Sequence, residues 1–114
     1  MNGIVDGDIK RNIDCDINGK IKGNVIGDIT GNINGMIWGN VEGNIIGNIG
    51  GSIYGNIEGD IDGNIGGILN KNVNGNIKGD VSGYIGGDVK GNIIGWVTGK
   101  IEGTHFGKKY TPLG

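Results

Sequence analysis

The sequence predicts an all-β protein, a parallel β-solenoid (β-helix) built from four-residue G-N-I-x repeats with atypical capping ends. Three observations predict it: 28 of the 114 residues are glycine, only one is proline, and an aliphatic residue stands at every fourth position from 5 to 101. A helix loses about 1 kcal/mol at each interior glycine, which excludes an all-α fold. Collagen is excluded as well, because it needs glycine at every third position and far more proline.

Each position of the tetrad predicts part of the coil. Glycine stands first, with Arg11, Cys15 and Lys71 as exceptions, and Asn or Asp stands second in most repeats. Ile, Val or Leu69 stands third, and the fourth residue varies. Side chains of an extended chain alternate between two faces, so the glycine and the aliphatic residue share one face. Glycine and Asn both tolerate a bend, and one bend per tetrad winds the chain into coils that pair in parallel.

The predicted core is a ladder in which the aliphatic residue of each coil stacks on that of the next. Its isoleucines are Ile17, Ile21, Ile29, Ile33, Ile37, Ile45, Ile49, Ile53, Ile57, Ile61, Ile65, Ile77, Ile85 and Ile93.

The repeat alone leaves the winding open between a 12-residue triangle, a 16-residue square and a core shared by three chains. The variable positions fit both periods. Multiples of 12 separate Met36, Tyr84 and Trp96, whereas 16 positions separate Trp38 and Tyr54. Three isoleucines crowd a triangular core, and overpacking costs about 1–3 kcal/mol per site, so core volume favours the square or the shared core. A sheet of antiparallel hairpins is the main rival fold, because Asn-Gly pairs are a hairpin signal.

We expect a single repeat domain over 1–114. Residues 1–18 form an atypical N-terminal cap region, 19–103 are the regular tetrads, and 104–114 form a C-terminal cap. Lys71 interrupts the regular part, and we expect a local bulge there, because a lysine does not point into a dry core. The residues predicted to cover the last coil are His105, Phe106, Tyr110 and Leu113.

The repeat resembles that of phage and bacterial G-N-I-x tetrapeptide-repeat proteins, and more distantly that of pentapeptide-repeat proteins. The tail of this chain is similar to the family's G-T-x-x-G-[RK]-x-[WY] ending, although His105 and Phe106 depart from the usual pair. The matching residues are Gly103, Thr104, Gly107, Lys108 and Tyr110. The resemblance implies a β-solenoid in a phage context and carries no assigned activity.

Charge and motifs narrow the function. A net charge of −2 argues against nucleic acid and membranes as partners and against a DNA-mimicking role, and no apolar run exceeds three residues. The sequence offers no set of acid, base and nucleophile, so we expect no enzyme, cofactor or metal. Cys15 is the only cysteine and has no intrachain disulfide partner. The first ten residues lack a secretory pattern, which predicts synthesis in the cytoplasm, and the resemblance adds association with a virion.

Two functions follow as expectations. The first is a stiff structural rod that associates with itself, as a trimer or end to end, in a phage-type spike, fibre or scaffold. The alternative is a monomeric module that binds a protein partner through aromatic residues of the outer face. Those residues are Trp38, Tyr54, Tyr84 and Trp96.

Overall fold

The chain forms a four-sided parallel β-solenoid with about six turns in a computed structural model. The structure describes residues 3–105 and, further on, 108–109; of residues 105, 108 and 109 only the backbone is described. Each aliphatic residue pairs with the one sixteen positions later, as Ile9 does with Val25 and Ile17 with Ile33. The predicted all-β solenoid is confirmed, and the winding is the sixteen-residue square. Its extents are 39 × 19 × 17 Å.

Each coil contributes one inward aliphatic residue to each of four sides, so the core consists of four columns. The columns are Val5, Ile21, Ile37, Ile53, Leu69, Ile85 and Ile101 on side 1; Ile9, Val25, Val41, Ile57, Val73 and Val89 on side 2; Ile13, Ile29, Ile45, Ile61, Ile77 and Ile93 on side 3; and Ile17, Ile33, Ile49, Ile65, Val81 and Val97 on side 4.

Two-residue strands mark where the pairing is most regular. The strands are β1 Ile4–Val5, β2 Lys20–Ile21, β3 Ile29–Thr30, β4 Met36–Ile37, β5 Ile45–Ile46, β6 Ser52–Ile53, β7 Ile61–Asp62, β8 Ile68–Leu69, β9 Tyr84–Ile85, β10 Lys100–Ile101, β11 Thr104–His105 and β12 Lys108–Lys109. Side 1 carries a seven-stranded parallel sheet in the order β1-β2-β4-β6-β8-β9-β10, and side 3 a three-stranded one, β3-β5-β7. β11 and β12 pair antiparallel, so the chain turns back there instead of adding another parallel strand.

One chain closes its own core. The isoleucines predicted for the ladder are buried within it, except that Ile93 is half-buried near the C-terminal end. No polar or charged residue is buried among the residues whose side chains the structure describes. A dry core of stacked aliphatic side chains in a single chain makes the three-chain core unnecessary.

Glycine suits the corners because adjacent coils approach closely there, although Lys71 shows that one such corner accepts a side chain. A Cβ added to Gly35 would overlap the carbonyl oxygen of Gly19, one coil below. Arg11 and Cys15 replace glycine in the first coil, and the described part of the chain has no coil beneath them. The N-terminal residues 3–18 therefore follow the regular path, with Ile13 paired to Ile29, although their glycine pattern is broken.

Lys71 does not produce the bulge that the sequence predicted. The pairing of Ile57 with Val73 keeps the sixteen-residue register, and the Asn72 N–H still donates to Asn56 Oδ1, at 3.1 Å. The reason is that the glycine position lies at a corner rather than in the core, so Lys71 is exposed. Of the predicted cap, Phe106, Tyr110 and Leu113 lie outside the described residues, and His105 is described only as backbone in β11.

Candidate interaction surface on side 1

Three of the four corners are closed by side-chain amides or carboxylates, and we call them the amide corners. They hold the Asn or Asp that precedes the aliphatic residue of sides 2, 3 and 4. The Asn40 N–H donates to Asn24 Oδ1 at 2.8 Å, and the Asn56 N–H donates to Asn40 Oδ1 at 2.7 Å. The carbonyl of Asn40 meanwhile accepts from the Val25 N–H at 2.8 Å. Each Asn thus supplies an acceptor that the next coil needs, which explains why the residue recurs.

The corner before side 1 uses a different hydrogen-bond pattern. Two consecutive N–H groups donate to one carbonyl oxygen: those of Asn34 and Gly35 reach Ile17 at 2.8 and 3.0 Å, and those of Gly50 and Gly51 reach Ile33 at 2.8 and 2.9 Å. No side chain takes part in these bonds, so the residue before the side 1 aliphatic residue does not have to be Asn or Asp. We call this the Asn-free corner. Its variable residues are Ile4, Lys20, Met36, Ser52, Ile68, Tyr84 and Lys100.

Side 1 presents these residues beside a second outward column, which follows the buried aliphatic residues. In that column Trp38 and Tyr54 lie on consecutive coils with ring centroids 6.5 Å apart and planes 15° apart. Lys22 lies on the coil before Trp38, and its Nζ is 5.7 Å from the Trp38 ring centroid. Parallel aromatic rings attract each other, and a cation over a ring adds to the attraction, so the three side chains form one ordered stack.

The two columns together form an apolar stripe along the middle of side 1. Trp38, Tyr54 and Ile68 are exposed by 44%, 38% and 44%, and the half-buried Met36 lies beside Trp38 in the same coil. Tyr84 lies toward Gly86, where an added Cβ would be 3.2 Å from Tyr84 Cε2. The apolar stripe comprises Met36, Trp38, Tyr54, Ile68 and Tyr84.

Charged residues bound the stripe at both ends. Lys20 and Lys22 precede it, and Lys100 and Glu102 follow it. Lys100 Nζ lies 2.9 Å from Glu102 Oε1. The hydrogen bond to Glu102 raises the pKa of Lys100 above its ordinary value, so this lysine stays charged at neutral pH. Two lysines thus precede the stripe, with the exposed Asp6 one coil nearer the N-terminus, and a lysine–glutamate pair follows it.

A shallow groove of about 430 Å³ runs beside the N-terminal half of the stripe, along the Asn-free corner. Gly19, Gly35 and Gly51 line this groove together with Asn18 and Asn34. The Asn34 Nδ2 group donates to Asn18 Oδ1 at 2.9 Å, which ties these two side chains together.

The structure brings together some of the aromatic residues that the sequence singled out and separates others. Trp38 and Tyr54 touch, and Tyr84 lies on the same side in the neighbouring column. Trp96 lies at the amide corner before side 4, where its backbone N–H donates to Asp80 Oδ1 at 2.9 Å. The residue is 74% exposed. Elsewhere exposed aliphatic residues are scattered singly, at Ile26, Ile46 and Ile94.

Sequence reasoning missed Met36 and Ile68 as members of this surface. The signal that identifies them is the absence of Asn and Asp at every sixteenth position from residue 4 to residue 100. That gap in the Asn pattern marks the Asn-free corner, and it also favours sixteen residues per coil over twelve.

Residues 3–105 were also compared with the requirements of a metal site and of a membrane-spanning helix. No group of three His, Cys, Asp or Glu side chains described there could hold a metal ion. The same residues include no helix long and apolar enough to cross a membrane. No protein-family model, curated protein or solved structure matches the chain.

Proposed function

We propose that this protein is a non-enzymatic structural module, a stiff β-solenoid rod that works by associating with copies of itself. One observation carries the proposal: the chain buries its core columns internally, yet it concentrates further apolar and aromatic residues on the outside of one side. Exposed apolar stripes bounded by polar residues are typical of protein interfaces.

The solenoid architecture supports a mechanical role. Each coil contacts its neighbours through a ladder of backbone hydrogen bonds on all four sides, so bending the rod requires breaking several bonds at once. The resemblance of the repeat to phage and bacterial tetrapeptide-repeat proteins supports a spike, fibre or scaffold as the setting.

The mass of the protein in solution tests the proposal. Light scattering after size exclusion, over a range of loading concentrations, should give a mass above the 11.8 kDa of one chain that rises with concentration. Reductant keeps the exposed Cys15 from linking copies artificially. A mass that stays at 11.8 kDa at every concentration would contradict self-association.

The second candidate is a monomeric protein-binding module that uses the same stripe. The ordered Lys22–Trp38–Tyr54 stack favours it, because preorganised aromatic side chains lose little freedom on binding. A double variant, Trp38→Ser with Tyr54→Ser, should keep its thermal stability and lose the partner. Loss of stability in that variant would show instead that the stack serves the fold.

A further inference from the structure

Side 1 is complementary to itself when two rods meet face to face and run in opposite directions. We propose that two copies form an isologous dimer through side 1, with the two-fold axis crossing the interface between the coil of Tyr54 and the coil of Ile68. The inference rests on the proposed self-association and specifies its surface, its partner and its register. In an isologous contact each residue meets its counterpart twice, once on each side of the axis.

The column after the buried aliphatic residues supplies the first complementarity. Read from the second coil to the seventh, it is Lys22, Trp38, Tyr54, Asn70, Gly86 and Glu102. Antiparallel pairing sets Lys22 against Glu102, so opposite charges meet at both ends of the interface. It sets the large Trp38 against the Gly86 coil, where the column has no side chain of its own and the Tyr84 ring borders the space. Tyr54 faces Asn70, a hydrogen-bonding side chain beside a phenol.

The column of the Asn-free corner makes two favourable contacts and one unfavourable contact in the same register. Met36 faces Tyr84, and a thioether against an aromatic ring is a favourable contact. Ser52 faces Ile68, a small residue against an exposed large one. Lys20 faces Lys100, a like-charge contact that Glu102, 2.9 Å from Lys100 Nζ, offsets only in part because it also faces Lys22.

Other face-to-face arrangements oppose like charges or bury unmatched ones. Two parallel rods would set Lys20 and Lys22 of one copy against the same pair of the other. An antiparallel shift of one coil in one direction would bring Asp6 opposite Glu102. A shift in the other direction would set Lys100 against Met36 and Glu102 against Trp38. Charge therefore favours the unshifted antiparallel register, which sets the Lys20 and Lys22 pair against the net-neutral pair of Lys100 and Glu102, although Lys20 then faces Lys100.

The size of side 1 fits a reversible dimer. A side of this rod, 39 Å long and 17–19 Å wide, can bury roughly 1,200 Å² of total surface in a face-to-face pair. That area lies at the lower boundary for a specific stable interface, so the dimer should dissociate on dilution.

Charge reversal and charge swapping test the register. Sedimentation equilibrium should show Lys22→Glu and Glu102→Lys each weakening the dimer roughly tenfold, because each reverses two exposed ion pairs. The double variant, with both substitutions, should restore the affinity of the natural chain. Lys78→Glu, an exposed lysine on side 3, is the matched control and should leave the dimer unchanged.

The outcomes separate this inference from the proposed function. A dimer that ignores both single reversals would overturn the assignment to side 1 and leave self-association standing. Two weakened single variants without rescue in the double variant would overturn the antiparallel register. A monomer at every concentration, for the natural chain as for the variants, would overturn both the inference and the proposed function.

Discussion

The amide corners and the Asn-free corner solve one problem, the turning of the chain between sides, in two ways. At an amide corner the side chain supplies the acceptor, as Asn32 Oδ1 does for the Asn48 N–H at 3.0 Å. At the Asn-free corner a backbone carbonyl accepts from two consecutive N–H groups, as that of Ile49 does from Gly66 and Gly67 at 2.8 and 3.0 Å. The first solution fixes the residue type, and the second leaves it open.

This difference explains where the surface can vary. Asn and Asp at the amide corners are committed to the next coil, so substituting them removes a bond that holds the stack together. The equivalent position at the Asn-free corner is occupied by Met36, Ile68 and Tyr84, whose side chains accept no hydrogen bond from the next coil. A chain with so regular a scaffold has this corner and the variable fourth position of each tetrad in which to build an interaction surface.

The largest loss of stability should come from a substitution in the core, which all four sides share whichever kind of corner joins them. Ile57→Asp places a carboxylate at a position that is 1% exposed, among stacked aliphatic side chains. A buried charge without a partner costs well over about 4 kcal/mol, so we expect the chain to be unfolded. Circular dichroism and thermal melting measure this, with Ile57→Val as a control that should cost about 1 kcal/mol. A folded Asp variant of normal stability would contradict a dry core.

The next largest effect distinguishes two adjacent glycines at the Asn-free corner. In Gly51→Ala the added Cβ overlaps the carbonyl oxygen of Gly35, whereas in Gly50→Ala it lies 3.7 Å from Asn34 Oδ1 in ordinary contact. The coils must separate to admit the first methyl, at a cost of about 3 kcal/mol or more. The second should change the free energy of unfolding by less than about 0.5 kcal/mol. Chemical denaturation measures both, and equal effects would show that coil spacing does not set the glycine pattern.

A smaller effect compares the two kinds of corner directly. Asn48→Ala removes the acceptor of the Asn64 N–H, now at 2.9 Å, and should cost about 1 kcal/mol. Asn48→Asp keeps an oxygen in that place and should be close to neutral. Ser52→Ala, at the equivalent position of the Asn-free corner, should also cost less than about 0.5 kcal/mol. If Asn48→Ala proves as mild as Ser52→Ala, the amide ladder does not explain why Asn recurs.

The sequence predicted the solenoid because its regular positions each have one physical role. The aliphatic phase identified the core, as at Ile57, and the glycine phase identified the bends between sides. The expectation at Lys71 was wrong because periodicity along the strand assigned glycine to the inner face, while the structure places it at a corner. Trp38, Tyr54 and Tyr84 were predicted for an interaction surface, whereas Met36 and Ile68 were missed because only the winding brings them beside those aromatic residues.

The smallest effect sharpens the role of the carboxylates within the amide corners. Asp88 Oδ1 accepts from the Thr104 N–H at 2.7 Å, and this backbone hydrogen bond, aided by the Thr104 side chain, lowers the pKa of Asp88 below its ordinary value of 3.8. A carboxylate whose pKa is lowered by folding stabilises the native state above its ordinary pKa. That contribution is lost as the pH falls through the folded value, when the carboxylate binds a proton.

Asp88→Asn should remove this pH dependence without removing the acceptor, because the amide oxygen can take the same bond from Thr104. The natural chain should therefore lose slightly more thermal stability than the variant as the pH falls below 3.8. An NMR titration of the Asp88 carboxyl gives the pKa itself, and a value at or above 3.8 would contradict the bond to Thr104. The geometry of the ladder explains why the amide corners accept either residue, because Asn24 Oδ1 and Asp28 Oδ1 each accept from the backbone N–H sixteen positions later at 2.8 Å.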